Sequence, residues 1–252
     1  MLVGVDHVII AVADPDGAAA EFEAALGLRA AAGGRHELHG THNRLIFLGD
    51  AYVELMGVFD AALAEGSWWG RHISGLLAGG QAAYAGLPFA TDDLAADVER
   101  LHAQGSPISE PIPGERRRPD GDIVRWRIAR LPEPDTDLGL TFLIEHDTGA
   151  AEWRPAERAA RAGEVHSLGT PARFVRVELP VGEVRTATLR LLRQLGLQFR
   201  PSLAGHGARD SAIGAHTLRV STAAARPRIT LRAGTQARVV ELFGCDWELL
   251  PY

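Results

Sequence analysis

Val5-Asp6-His7-Val8-Ile9-Ile10-Ala11-Val12 and Tyr52-Val53-Glu54-Leu55-Met56 are two apolar runs that each carry an ionisable residue. Both have the length and β-branched content of buried strands. Packing gives neither a histidine nor a carboxylate a reason to sit there, because a buried charge without a partner is costly. If the chain between the runs curls into a half-barrel, His7 and Glu54 face one concave surface. A third run, Leu140-Thr141-Phe142-Leu143-Ile144-Glu145, ends in another carboxylate. His7, Glu54 and Glu145 are therefore expected to meet at one centre.

A repeat surrounds these runs. Residues 4–12 read as a strand, Asp14-Pro15 caps a helix that ends at Gly27, and strands 43–48 and 52–58 follow, joined at Gly49-Asp50. The same order returns as strand 82–90, a cap at Thr91-Asp92, helix 93–104 stopped by Gly105, and strands 123–131 and 138–145. A worn third copy has strand 174–179, helix 182–195 stopped by Gly196, and strands 217–220, 229–231 and 237–243. Within it Glu241 echoes Glu54, but the first-strand position that would carry a histidine falls near Arg176, so Glu241 is read as structural. The spacing predicts an α+β protein: paired βαβββ modules (1–60 and 80–147) forming an open, curved mixed sheet. A linker, 148–168, then leads to a degenerate βαβ-type unit over 169–252.

The 252 residues carry a net charge of −6, which argues against nucleic acid as a partner because phosphate binding needs a concentrated basic face. The single cysteine, Cys245, rules out an internal disulfide and a cysteine zinc cage, and its apolar neighbours predict a small buried side chain. No apolar run is long enough to span a membrane, and the chain enters a strand without a basic leader. The expectation is a cytoplasmic protein that meets no membrane. High Ala, Arg and Gly content looks like a GC-rich bacterial coding sequence.

On these residues the chain resembles the vicinal oxygen chelate superfamily, and within it the glyoxalase-like domain branch. The resemblance is carried by Asp6-His7, Gly40-Thr41-His42-Asn43-Arg44-Leu45, Arg118-Pro119-Asp120-Gly121 with Arg125-Trp126-Arg127, and Phe142-Leu143-Ile144-Glu145. It covers residues 1–147 well and extends loosely through the third unit. It implies that each module forms half of an open barrel and that His7, Glu54 and Glu145 hold a divalent metal (Zn, Ni, Mn, Fe or Mg). Such a donor set leaves positions open for two adjacent substrate oxygens. Glu54 or Glu145 would then move the proton in a lyase or isomerase reaction on a small substrate with vicinal oxygens. The alternative is a small-molecule binding protein that uses the same cavity without metal. The resemblance further implies a homodimer.

One departure is visible at once. Counting back from the second helix cap puts the counterpart of His7 at Tyr84, or at Ala85 if the register slips, and neither is an ordinary ligand. Tyr84 is instead expected to touch substrate. So are His42 and Asn43, a donor–acceptor pair opening a strand beside the cavity. Arg118 at a Pro-Asp-Gly turn, and Arg125, are candidates for an anionic substrate group, against a reading as solvated hairpin charges. His36, His39 and His42 recur every third residue, but no thiol or carboxylate spacing supports a zinc site of their own. Trp68-Trp69 is read as packing. Serine-elbow, phosphate-loop and dinucleotide motifs are absent.

Overall fold

The computed structural model describes residues 2–149, 153, 155–205 and 207–252, so part of the predicted linker lies outside the described residues. The first module runs β1 (Leu2–Val5), β2 (His7–Ala11), α1 (Pro15–Leu26), β3 (Ala31–His36), β4 (Thr41–Leu48) and β5 (Ala51–Val58). Two short helices, α2 (Ala61–Glu65) and α3 (Trp68–Leu77), lead to the second: β6 (Ala83–Gly86), β7 (Phe89–Thr91), α4 (Leu94–Ala103), β8 (Ile112–Arg117), β9 (Ile123–Arg130) and β10 (Phe142–His146). All ten strands form one sheet, in the order β1-β7-β10-β9-β8-β3-β4-β5-β2-β6. In each half the first strand lies parallel to the last, β2 to β5 and β7 to β10. The paired βαβββ expectation holds.

Two details position the site. Each predicted first strand is broken, at Asp6 and at Leu87-Pro88, and the pieces cross over: β1 pairs antiparallel with β7, and β6 with β2. Pro88 has no N–H for a ladder, which suits a break. The halves also meet at a seam between β3 and β8, through the single pair Arg35↔Arg117. A Cβ on Gly34 would lie 2.2 Å from the carbonyl oxygen of Arg117, so only glycine allows this approach. Neither seam strand is predicted by its sequence, since Ala31–His36 and Ile112–Arg117 are Gly-containing and polar. Pairing, not propensity, makes them strands.

The C-terminal part is fuller than the worn unit expected. After α5 (Pro155–Ala162) come β11 (Ala172–Pro180), α6 (Val184–Leu195), β12 (Arg200–Pro201), β13 (Ala208–Ile213), β14 (His216–Ser221), β15 (Arg228–Ala233), β16 (Arg238–Leu242) and β17 (Cys245–Leu250). They form a seven-stranded sheet, in the order β12-β13-β14-β11-β15-β17-β16. Strand β11 is parallel to β14, completing a third βαβββ module. Strand β15 is antiparallel to β11 and parallel to β17, which makes a fourth module without its helix. The predicted strand 237–243 is half of a hairpin, turned at Phe243-Gly244, both with positive φ (52 and 72). One apolar cluster joins α1, α4 and α6 with residues of both sheets, including Phe22, Leu101, Leu191 and Trp247. Phe22 meets Trp247 edge to face, with ring centroids 4.8 Å apart. Cys245 is buried in that cluster, as expected.

Candidate functional site

His7 opens β2 immediately after the break at Asp6, and Glu54 sits in the middle of β5, in register with Ile9. Alternation along both strands turns the two side chains to the concave side, where both are buried. His7 Nε2 lies 3.4 Å from Glu54 Oε2. That separation is an ion pair without a well-directed hydrogen bond, and among the described residues Nε2 has no hydrogen-bond partner. The other ends of the pair are tied down. His7 Nδ1 is 2.6 Å from Asp6 Oδ1, its ring stacks on Tyr52 at 4.5 Å, and Asn43 Nδ2 donates to Glu54 Oε1 at 2.5 Å. Asp6 Oδ2 is held at 3.0 Å by Nε2 of His146, the last residue of β10. One buried carboxylate thus joins histidines from both halves.

The charges follow from these contacts. Burial alone would disfavour the His7 imidazolium, but the hydrogen bond to Asp6 and the negative charges of Asp6 and Glu54 outweigh it and raise its pKa to about 9. Burial would likewise raise the Asp6 carboxyl, yet His146 and His7 hold it well below the usual range. Glu54 is lowered too: burial is overcome by His7, His36 and Asn43. At neutral pH the line reads carboxylate, imidazolium, carboxylate.

The pair opens on a cavity of about 40 Å³. Its wall is mostly aromatic and aliphatic, with Ile9, Met56, Trp69, Trp126, Phe142 and Ile144 prominent, and buried Arg116 and His36 add polar groups. Burial pushes the His36 pKa down to about 4, and Nδ1 lies 3.0 Å from Thr41 Oγ1. Outside lies a wide cleft of about 760 Å³, which shares Trp126 and His146 with the cavity. Its ion pairs are Arg127–Glu145 at 2.7 Å and Arg125–Glu115 at 3.6 Å.

Of the residues expected at the centre, the structure brings together His7, Glu54 and Asn43. Glu145 is not with them. It faces the outer cleft, pairs with Arg127, and accepts from the backbone N–H of Leu94 at the first turn of α4. Alternation sends its neighbour His146 inward instead. His42 faces away from the cavity for the same reason, next to Asn43, and its ring meets Phe59. Arg118 pairs with Asp120 at the hairpin tip, while Arg116, two residues earlier, lines the cavity. Arg125 lines only the outer cleft. Tyr84 donates to the carbonyl of Leu138 and reaches neither space. His39 packs on Trp69, and its Nδ1 lies 3.0 Å from Ser67 Oγ. Of the tryptophan pair, Trp69 lines the cavity and donates to Thr41.

The Tyr84 expectation fails because the second helix is capped by Asp93, which accepts from Ala96 N, and not by Thr91. Asp14 and Asp93 are then the matching caps, and the counterpart of His7 is Gly86. Gly86 bridges Leu140 as His7 pairs with Tyr52, so Phe142 is the counterpart of Glu54. A Cβ on Gly86 would lie 2.3 Å from the carbonyl oxygen of Leu140. The second half therefore offers a glycine and a phenylalanine where ligands are needed. Among the described residues no three of His, Cys, Asp or Glu are grouped to hold an ion. This donor set does not fit the divalent metal that the resemblance implies.

Two curved βαβββ halves, with a histidine on the first strand and a glutamate on the last of one half, define a protein of the vicinal oxygen chelate superfamily. The family described as "Glyoxalase-like domain" matches residues 5–195, and the chain belongs to it. Among solved structures, a hypothetical protein from Staphylococcus aureus is similar over 100% of both chains, with a TM-score of 0.80 at 15% identity. A mutant of 4-hydroxymandelate synthase from Streptomyces coelicolor is similar over 92% of this chain and 72% of that chain, at 13% identity and a TM-score of 0.52. Methylmalonyl-CoA epimerase from Mycobacterium tuberculosis is 23% identical over 57% of this chain and 88% of that one, with a TM-score of 0.41. The first two of these likenesses speak to the fold. No curated protein matches the chain. Among the described residues no helix is long and apolar enough to cross a membrane.

Proposed function

We propose that the cavity is a proton-transfer site for a small carbonyl compound with vicinal oxygens, in the lyase or isomerase class, working without a resident metal. The substrate oxygen would accept from His7 Nε2, and Glu54 would take the proton from the adjacent carbon. The imidazolium then stabilises the enolate oxygen, with Asp6 fixing its orientation from Nδ1. A carboxylate held below its usual pKa is a weak base, so the driving force rests on that stabilisation. One observation carries the reading: His7 Nε2 and Glu54 Oε2 face the same space 3.4 Å apart, with each group's other end bound.

The test is exchange of the α-proton into D2O, followed by proton NMR with pyruvate, hydroxyacetone and glycolaldehyde as substrates. Wild type is expected to exceed Glu54→Gln by roughly a hundredfold, the usual range for a positioned base. The apolar wall favours a second reading, in which the protein binds such a compound without turning it over. Binding with no exchange in the wild type would select that reading and sink the first.

A further inference from the structure

A cavity of about 40 Å³ holds only about three water molecules. A carbonyl compound with two oxygens enters only if a wall yields. The residues lining the cavity belong to strands of the ten-stranded sheet, with two exceptions, Trp69 on α3 and Trp153. Strands are held by their ladders. Trp69 is tied by its indole N–H to Thr41 at 3.2 Å and by the ring of His39 at 3.9 Å.

Trp153 differs. It comes from the predicted linker, and it is 5% exposed. Its ring stacks on His146 at 3.7 Å, stands 5.6 Å from Tyr52, and is covered by the Arg161 guanidinium at 5.3 Å. Its Nε1–H is buried and has no acceptor among the described residues. A buried indole N–H ordinarily finds a partner. An oxygen-bearing ligand in the cavity would supply one.

We propose that Trp153 is the movable wall of the cavity and its specificity-determining residue: ligands enter when it swings out, and it closes over them. This rests on the reading of the cavity as the ligand site. By stacking on His146, whose Nε2 holds Asp6, a returning Trp153 also restores the support of His7.

The test reads access to the cavity and needs no substrate. Diethyl pyrocarbonate acylates neutral imidazoles, and His36 is neutral, buried and faces the cavity, which makes it the reporter. His102 on α4 is the internal reference. Trp153→Ala is expected to speed His36 modification about tenfold or more, while Trp153→Phe, which keeps a cover, stays near wild type. Arg161→Ala leaves every wall residue in place and should move His36 in the same direction by less. If neither Trp153→Ala nor Arg161→Ala changes the rate, or if Trp126→Ala alone opens the cavity, the proposal is overturned. Failure of α-proton exchange would leave these rates untouched, so the two ideas fall separately.

Discussion

His36 ties the polar wall of the cavity to the pH at which the fold is stable. Burial holds its folded pKa at about 4, against an ordinary 6.5. The unfolded chain therefore binds a proton that the folded chain refuses between those values. The stabilisation is present above about pH 6.5 and is lost as pH falls toward 4, with a size on the order of 1–3 kcal/mol. Urea unfolding at pH 7.5 and 5 should show acidification costing wild type more than His36→Phe, while His7, whose raised pKa acts in the opposite sense, contributes equally to both. Equal losses would show that another group carries it. At this scale His7, Glu54 and Asn43 were legible in the sequence, because ionisable or amide side chains inside apolar strands need a polar reason to be there. Glu145 and His42 were misread by one position each. Strand alternation puts neighbours on opposite faces, and the sequence does not say which neighbour faces in. Asp6 and His146 were missed because their roles exist only once β2 and β10 come together.

The elements show a different limit. Helices α1, α4 and α6 were predicted to within a few residues, because the Asp14 cap of α1 and the glycines that end α1 and α6 are local signals. Placing the second cap at Thr91 moved the counterpart of His7 by two residues, and with it the expected fourth corner of the site. The true counterpart, Gly86, is where β6 passes closest to Leu140. Gly86→Ala is expected to cost about 2–4 kcal/mol in urea unfolding, since the obstruction is a backbone carbonyl that cannot rotate away. A neutral effect would mean that the strand can shift, and that a ligand side chain could have stood there. The seam strands β3 and β8 left no sequence signal of their own. They exist because two curled halves present their edges to each other.

The whole molecule is two pairs of modules sharing one apolar layer. Residues of α1, α4 and α6 and of both sheets belong to a single cluster, so the C-terminal part covers the helices of the first pair. That leaves the concave face of the first sheet free to hold the site. There the first half keeps His7 and Glu54, and the second half gives Gly86, Phe142 and the positioning histidine His146. On this account the superfamily scaffold is retained while its metal corner has been replaced by an imidazolium held between two carboxylates. Calorimetric titration of the purified protein with Mn²⁺, Ni²⁺ and Zn²⁺, beside Glu54→Ala, tests this directly. Less than about a tenth of an equivalent of Glu54-dependent binding is expected for each ion. One equivalent bound by wild type and lost in Glu54→Ala would contradict it.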